Sequence, residues 1–330
     1  MSKRLILSQL ATGPPDFVQV IVWSTMNASF TVDGIVPIIP TPFNERDALD
    51  PEGYSSLIEF AIHSRASAVC LPAYASEFYK LSEAERLEAV RWAVHFAGGR
   101  IPVIAQVNAV SLRQAIDAAK QAEALGASAM NTAVPRIFPT SEDDLLRYFE
   151  GLLSSTSLPY VIQDFNPGGA SVSPAFLARL KNACPNLKYV KLEEPLLAGK
   201  VRAILEATNA QVGVLEGWGG MHTLELAPLG TSGVMPGLGL CDFLDSVFRL
   251  AKAGKQVDAY PIFSAILPQI VFSLQNLELY HHCEKRLLAA RGVSIGPHVR
   301  DLQRSLSAHE EAYIDFLNAR ILDAAERYLH

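Results

Sequence analysis

The chain has 330 residues, 49% hydrophobic and 19% charged, enough for one large α/β barrel or two ordinary domains with a sizeable core. A net charge of −6 and a pI near 5.8 exclude a nucleic-acid binder that works through a basic face. Cys70, Cys184, Cys241 and Cys283 stand far apart with no CxxC or CxxH pair, and no apolar run approaches a membrane span. A soluble cytoplasmic protein with reduced thiols is expected, with neither a nucleic-acid nor a membrane partner.

Residues 1–32 form an N-terminal extension unlike the rest. Met1 to Ala28 carries two basic residues, a Gly-Pro-Pro break and one short apolar run, without the layout of a secretory signal. Two readings stand open: an irregular arm packed on the body or on a partner subunit, or a natural start at Met26 with non-native residues before it.

From Gly34 the chain repeats strand and helix. Gly34 to Ile39 is an apolar strand stopped by Pro40-Thr41-Pro42. Pro51 to Arg65 has helical spacing behind an Asp50 cap. Strand Ala66 to Leu71 precedes helix Leu81 to Ala97, where Ser82 and Glu85 form a capping box. Strand Ile101 to Val107, helix Ser111 to Leu125, strand Ser128 to Val134 and helix Ser141 to Ser154 follow. Then come strand Tyr160 to Asp164, helix Ser173 to Ala183, strand Leu187 to Glu193 and helix Pro195 to Thr208. The last units are strand Gln211 to Glu216 with helix Gly219 to Leu229, and strand Ser232 to Met235 with helix Cys241 to Ala253.

Eight short apolar strands alternating with eight helices indicate a parallel sheet, and in this length a closed (β/α)8 TIM barrel over residues 33–253. No GxGxxG follows the first strand and no GxxxxGK[ST] occurs, so nucleotide-binding folds lose support. Residues 254–330 are helical, periodic in Ile262 to Leu279 and Tyr313 to Leu329, and read as a C-terminal helical cap beside the barrel.

Chemistry in such barrels sits at the carboxyl ends of the strands. There lie Tyr74-Ala75-Ser76-Glu77, Gln106-Val107-Asn108, Arg136, Gln163-Asp164, Lys191, Glu193, Glu216 and Pro236-Gly237. Strand alternation sends Leu187, Tyr189 and Lys191 to one face. An inward lysine ending an apolar strand is poorly solvated, which favours the neutral, nucleophilic amine. The competing reading is a strand-end lysine that reaches solvent or pairs with Glu193. One lysine among amides and hydroxyls suits an imine-forming site better than a metal site, because none of His63, His95, His281, His282, His309 and His330 has ligand spacing to an acidic partner.

Gly34–Phe43, the Glu77-x-x-x-Leu81-Ser82-x-x-Glu85-Arg86 run and the Tyr189-Val190-Lys191 strand together resemble the dihydrodipicolinate synthase / N-acetylneuraminate lyase family from about Asp33 onward. The resemblance implies a (β/α)8 barrel, usually a homotetramer, with no cofactor beyond the imine that the strand-six lysine forms with a 2-oxo acid. That lysine maps onto Lys191. The family's carboxylate loop, Gly-Thr-Thr-Gly-Glu, reads Ala73-Tyr74-Ala75-Ser76-Glu77 here, so the Ala75 and Ser76 amides and the Ser76 hydroxyl are expected to hold the carboxylate. Met235 matches the position whose backbone borders the 2-oxo acid.

Two departures matter. Asp164 stands where most members place a tyrosine, and Gly169 where true dihydrodipicolinate synthases place an arginine. Gln163-Asp164, Lys191-x-Glu193-x-Pro195 and Leu215-Glu216-Gly217 resemble the 2-keto-3-deoxy sugar acid dehydratase branch, with L-2-keto-3-deoxyarabonate as substrate.

That resemblance implies attack of Lys191 on a C2 ketone, loss of a C3 proton to the imine's electron sink and expulsion of a C4 hydroxyl. Asp164 is the candidate for proton traffic and Tyr74 the second, against a loop cap and an interface aromatic respectively. Arg136 either clamps the substrate or salt-bridges Glu142-Asp143-Asp144. Glu193 and Glu216 either orient Lys191 and the sugar hydroxyls or are satisfied strand-end carboxylates. A pyruvate-type aldolase or a dihydrodipicolinate synthase-like condensation shares these residues. A non-catalytic 2-oxo acid binding protein is the remaining alternative.

Overall fold

A computed structural model describes residues 30–136, 139–165, 172–195 and 197–329. The expectations for residues 1–29 and for Gly169 lie outside the described residues. The strands are β1 (Gly34–Ile35), β2 (Val69–Leu71), β3 (Val103–Gln106), β4 (Ala129–Ala133), β5 (Tyr160–Phe165), β6 (Leu187–Glu193), β7 (Gly213–Glu216) and β8 (Gly233–Val234). All neighbours pair in parallel in the order β1-β8-β7-β6-β5-β4-β3-β2. A bridge between Ile38 and Cys70 closes the ring, with the Ile39 amide donating to the Cys70 carbonyl at 3.0 Å. This is the expected (β/α)8 barrel, its first strand shortened by Pro37, which has no amide to donate.

Around it run α1 (Pro51–His63), α2 (Glu83–Ala97), α3 (Leu112–Ala124), α4 (Glu142–Leu153), α5 (Pro174–Ala183), α6 (Leu197–Ala207), α7 (Thr223–Leu226) and α8 (Cys241–Lys252). Side chains set their starts: the Ser82 hydroxyl accepts the Glu85 amide at 3.2 Å while Glu85 accepts the Ser82 amide at 2.9 Å. Ser111, Ser141 and Ser173 cap α3, α4 and α5 in the same way. The expected helix Gly219 to Leu229 is instead a single α-turn between two 3-10 turns, because Gly219 and Gly230 take φ of 68° and 90°.

Three helices follow, α9 (Gln256–Ser273), α10 (Leu277–Ala290) and α11 (Ala308–Tyr328), where periodicity alone suggested two. The continuous Ile262 to Leu279 pattern is interrupted because Asn276 turns extended and caps α10, accepting the Glu278 amide at 2.9 Å. The connection at 274–277 is thereby brought over the barrel mouth.

Inward residues of alternate positions, among them Val36, Cys70, Ile104, Ala129, Val161, Tyr189 and Leu215, fill the barrel. Outward residues meet the helices in two larger clusters. Leu187 joins an outer cluster rather than sharing the face of Lys191. Pairing slips between Tyr160–Leu187 and Val161–Tyr189, so regular alternation holds only from Tyr189.

Two buried charges test this architecture. Glu77, itself left-handed at φ 59°, accepts from Lys285 of α10 at 2.6 Å, from Lys80 at 3.1 Å and from the Arg300 amide at 3.1 Å. Lys285→Met is expected to lower unfolding free energy by up to roughly 3–5 kcal/mol in urea titration, since Glu77 loses a fully buried partner. A loss no larger than the ~1 kcal/mol of an exposed pair would mean that Lys80 and the backbone suffice.

Glu216 is fully buried, and neither carboxyl oxygen meets hydrogen-bond geometry. Burial pushes its carboxyl well above the usual range, with the nearby His222 amide, the Lys191 charge and the Thr223 hydroxyl offsetting this only in part. Folding therefore binds its proton more tightly, so the group favours folding below its ordinary value of 4.5 and opposes it as pH rises. Glu216→Gln is expected to raise the thermal midpoint at pH 7, with the gain shrinking towards acid. A loss at pH 7 would show that the carboxylate has an unrecognised partner.

Candidate active site

Four consecutive carboxyl ends build the polar floor of the barrel mouth. On β6, Lys191 and Glu193 sit two residues apart and therefore on one face. Their Nζ and Oε1 atoms lie 2.9 Å apart, with side-chain exposures of 5% and 11%. On β5, Gln163 pairs in register with Lys191 and its Nε2 donates to Glu193 Oε2 at 2.7 Å. Gln106 on β3 donates to Gln163 Oε1 at 3.0 Å, and Asn131 on β4 donates to Gln106 Oε1 at 2.7 Å. A chain of amides thus holds Oε2 of Glu193, leaving Oε1 against the lysine.

Lys191, Glu193 and Gln163 face a cavity of about 340 Å³. The volume suits a small organic acid. Opposite them are Tyr74 and Ala75, and beside them Met235, Pro236 and Gly237. Tyr74 and Ala75 open a 3-10 turn, so their amides have no partner within it. The Tyr74 ring packs against Phe165 at 5.3 Å and Phe78 at 4.9 Å between centroids. Burial first, and the Glu193 charge second, raise its hydroxyl, which stays protonated at neutral pH.

Several expectations are corrected. Asp164 is buried but follows Gln163 on the strand, so it faces outward. Its oxygens take Arg136, the Val172 amide at 2.9 Å and Lys200 at 3.4 Å. That is the loop-cap role, on the face of β5 opposite Gln163. Arg136 salt-bridges Asp164, a partner that neither expectation named. Ser76 is also committed: its hydroxyl donates to the Ile39 carbonyl at 2.5 Å and accepts the Ala73 amide at 3.0 Å. Its amide donates to the Ala73 carbonyl at 2.9 Å. Glu216 pairs in register with outward Leu192 and does not line the cavity. Lys191, Tyr74, Ala75, Glu193 and Met235 are the expected residues that meet there.

Gln163 and the cavity's far wall went unassigned. Strand position offered a signal for Gln163, two residues beyond inward Val161. Trp218, Leu274 and Leu277 come from loops whose approach only the closed barrel reveals.

A family model described as the dihydrodipicolinate synthetase family matches residues 31–312. L-2-keto-3-deoxyarabonate dehydratase of Azospirillum brasilense is 28% identical over 245 residues, 72% of this chain and 78% of its own. 4-Hydroxy-tetrahydrodipicolinate synthase of Stenotrophomonas maltophilia is 29% identical over 57% of this chain and 63% of its own. In fold, 4-hydroxy-tetrahydrodipicolinate synthase of Methylacidiphilum fumariolicum superposes with a TM-score of 0.82 at 22% identity, covering 90% and 98% of the two chains. Sialic acid aldolase of Ruminococcus gnavus gives 0.81 at 19% identity over 90% and 99%. With the family model matched over most of its length, the chain belongs to the dihydrodipicolinate synthetase family and is a lyase of its lysine Schiff-base class.

Proposed function

We propose that the protein dehydrates a 4-hydroxy-2-oxo acid held as an imine on Lys191, the class that includes 2-keto-3-deoxy sugar acids such as L-2-keto-3-deoxyarabonate. The observation that carries this reading is the Glu193 carboxylate 2.9 Å from Lys191 Nζ, anchored by Gln163, which stands with Asp164 and Phe165 at the carboxyl end of β5. Similarity to the Azospirillum dehydratase supports it.

In this mechanism Glu193 takes a proton from Lys191, freeing the amine to add to C2, and then gives that proton to the carbinolamine oxygen, which leaves as water to yield the protonated imine and the Glu193 carboxylate. The substrate carboxylate rests on the Tyr74 and Ala75 amides. The imine withdraws electrons from C3, so Glu193 can remove a C3 proton and leave the enamine. The same proton, returned to the C4 hydroxyl, lets it depart as water. Tyr74, protonated on the opposite wall, is the second available donor. Hydrolysis of the unsaturated imine restores Lys191. No cofactor is required, because the imine is the electron sink. Cleavage of C3–C4 would instead release pyruvate, so product analysis separates dehydration from the aldolase reading.

Borohydride with pyruvate should leave a reduced adduct on Lys191 by peptide mapping, and Lys191→Ala should leave none. Glu193→Gln should keep the adduct yet slow deuterium exchange into the pyruvate methyl group by roughly 10²–10⁴-fold, the usual worth of a positioned base. Asp164→Asn should lower the thermal midpoint while exchange stays within a few-fold. Equal exchange in wild type and Glu193→Gln would remove Glu193 from the chemistry.

A further inference from the structure

We infer that the substrate carries an apolar group, aryl or branched alkyl, beyond C4. The inference rests on the imine reading above and narrows its substrate class. Besides Lys191, Glu193 and Gln163, the cavity is walled by Tyr74, Phe165, Trp218, Leu274 and Leu277, contributed by the turn after β2, the end of β5, the turn after β7 and the α9–α10 connection. These rings and branches are only partly buried, and Phe165 is 40% exposed at the mouth. Trp218 is held at φ 41°, a left-handed conformation that bulky residues avoid, so the surrounding packing keeps its ring at this wall against a local cost.

The polar neighbours in this wall spend part of their hydrogen-bonding capacity within the protein. Gln275 donates its side-chain amide to the Phe272 carbonyl at 3.2 Å, and Asn276 spends its carbonyl oxygen on the Glu278 and Leu279 amides. Tyr280 reaches the wall but its hydroxyl has no exposed surface, lying where a side chain on Gly237 would clash. Among the described lining residues, Lys191 is the one cation. A second carboxylate therefore finds no counter-charge there, and extra hydroxyls would exchange water for hydrocarbon. An apolar tail gains burial instead. With an aryl tail, water leaves with one C3 proton and the C4 hydroxyl, giving a conjugated arylidene 2-oxo acid with nothing oxidised or reduced.

The test compares borohydride trapping on the full chain with pyruvate, L-2-keto-3-deoxyarabonate and 2-oxo-4-phenylbutanoate, reading half-saturating concentrations by intact mass. The phenyl acid should half-saturate at a concentration at least roughly tenfold below either other acid, as an apolar pocket discriminates. Trp218→Ala and, separately, Leu277→Gln should each narrow that gap. Pyruvate trapping on Lys191 with no phenyl advantage, or with the sugar acid preferred, overturns the apolar subsite and leaves the lyase reading standing. Folded protein that traps no pyruvate overturns the imine reading, and the subsite proposal with it.

Discussion

The site depends on one buried ion pair. Lys191 and Glu193 point into the barrel from successive inward positions of β6, where burial weakens screening by water. Alone, such a pair is costly, since each charge has lost its hydration. The amides of Gln163, Gln106 and Asn131 make it tenable by holding the second carboxylate oxygen through a connected chain. The same arrangement sets the chemistry: a proton acceptor within reach of the amine, fixed by neighbours on three other strands. Under the proposed mechanism Glu193 is the base that takes the Lys191 proton, so the two readings that the sequence left open for it, nucleophile and Glu193 pair, are compatible.

A second buried network positions the opposite wall. The residues facing Lys191 belong to a short turn whose last member, Glu77, is locked by Lys285 and Lys80 and by the backbone at Arg300. Ser76 ties the same turn to Ile39, and Thr41 donates to the Ser76 carbonyl at 2.5 Å. The C-terminal helices thus hold the turn that carries Tyr74 and Ala75 into the cavity wall. They also supply Leu274 and Leu277 to the cavity. A cap that fixes one wall and forms another ties substrate choice to the least barrel-like part of the chain.

Legibility differed by residue. Lys191 stood out because a lysine closing an apolar strand is conspicuous without any structure. The Ser82–Glu85 box and the Asp50 cap were equally plain, being local contacts within four residues. Asp164 and Gln163 show the limit. Both end β5, and a carboxylate is the more familiar proton carrier, but only the inward residue can act. Ser76 failed for a related reason: its hydroxyl was visible, its prior commitment to Ile39 was not.

By itself the sequence determined the alternation of eight apolar strands with helices, the helix starts and the strand that carries the lysine. These follow from periodicity and capping, which act over a few residues. Tertiary structure decided which side of each strand end faces the cavity. That parity is set by pairing around a closed ring, including the slip between Tyr160 and Val161 that sends Leu187 outward. It also decided that Trp218, Leu274 and Leu277 share one wall, although 56 residues of chain separate the first two. Contacts of that range leave no local pattern, because they exist only once the barrel has closed and α10 has docked against it.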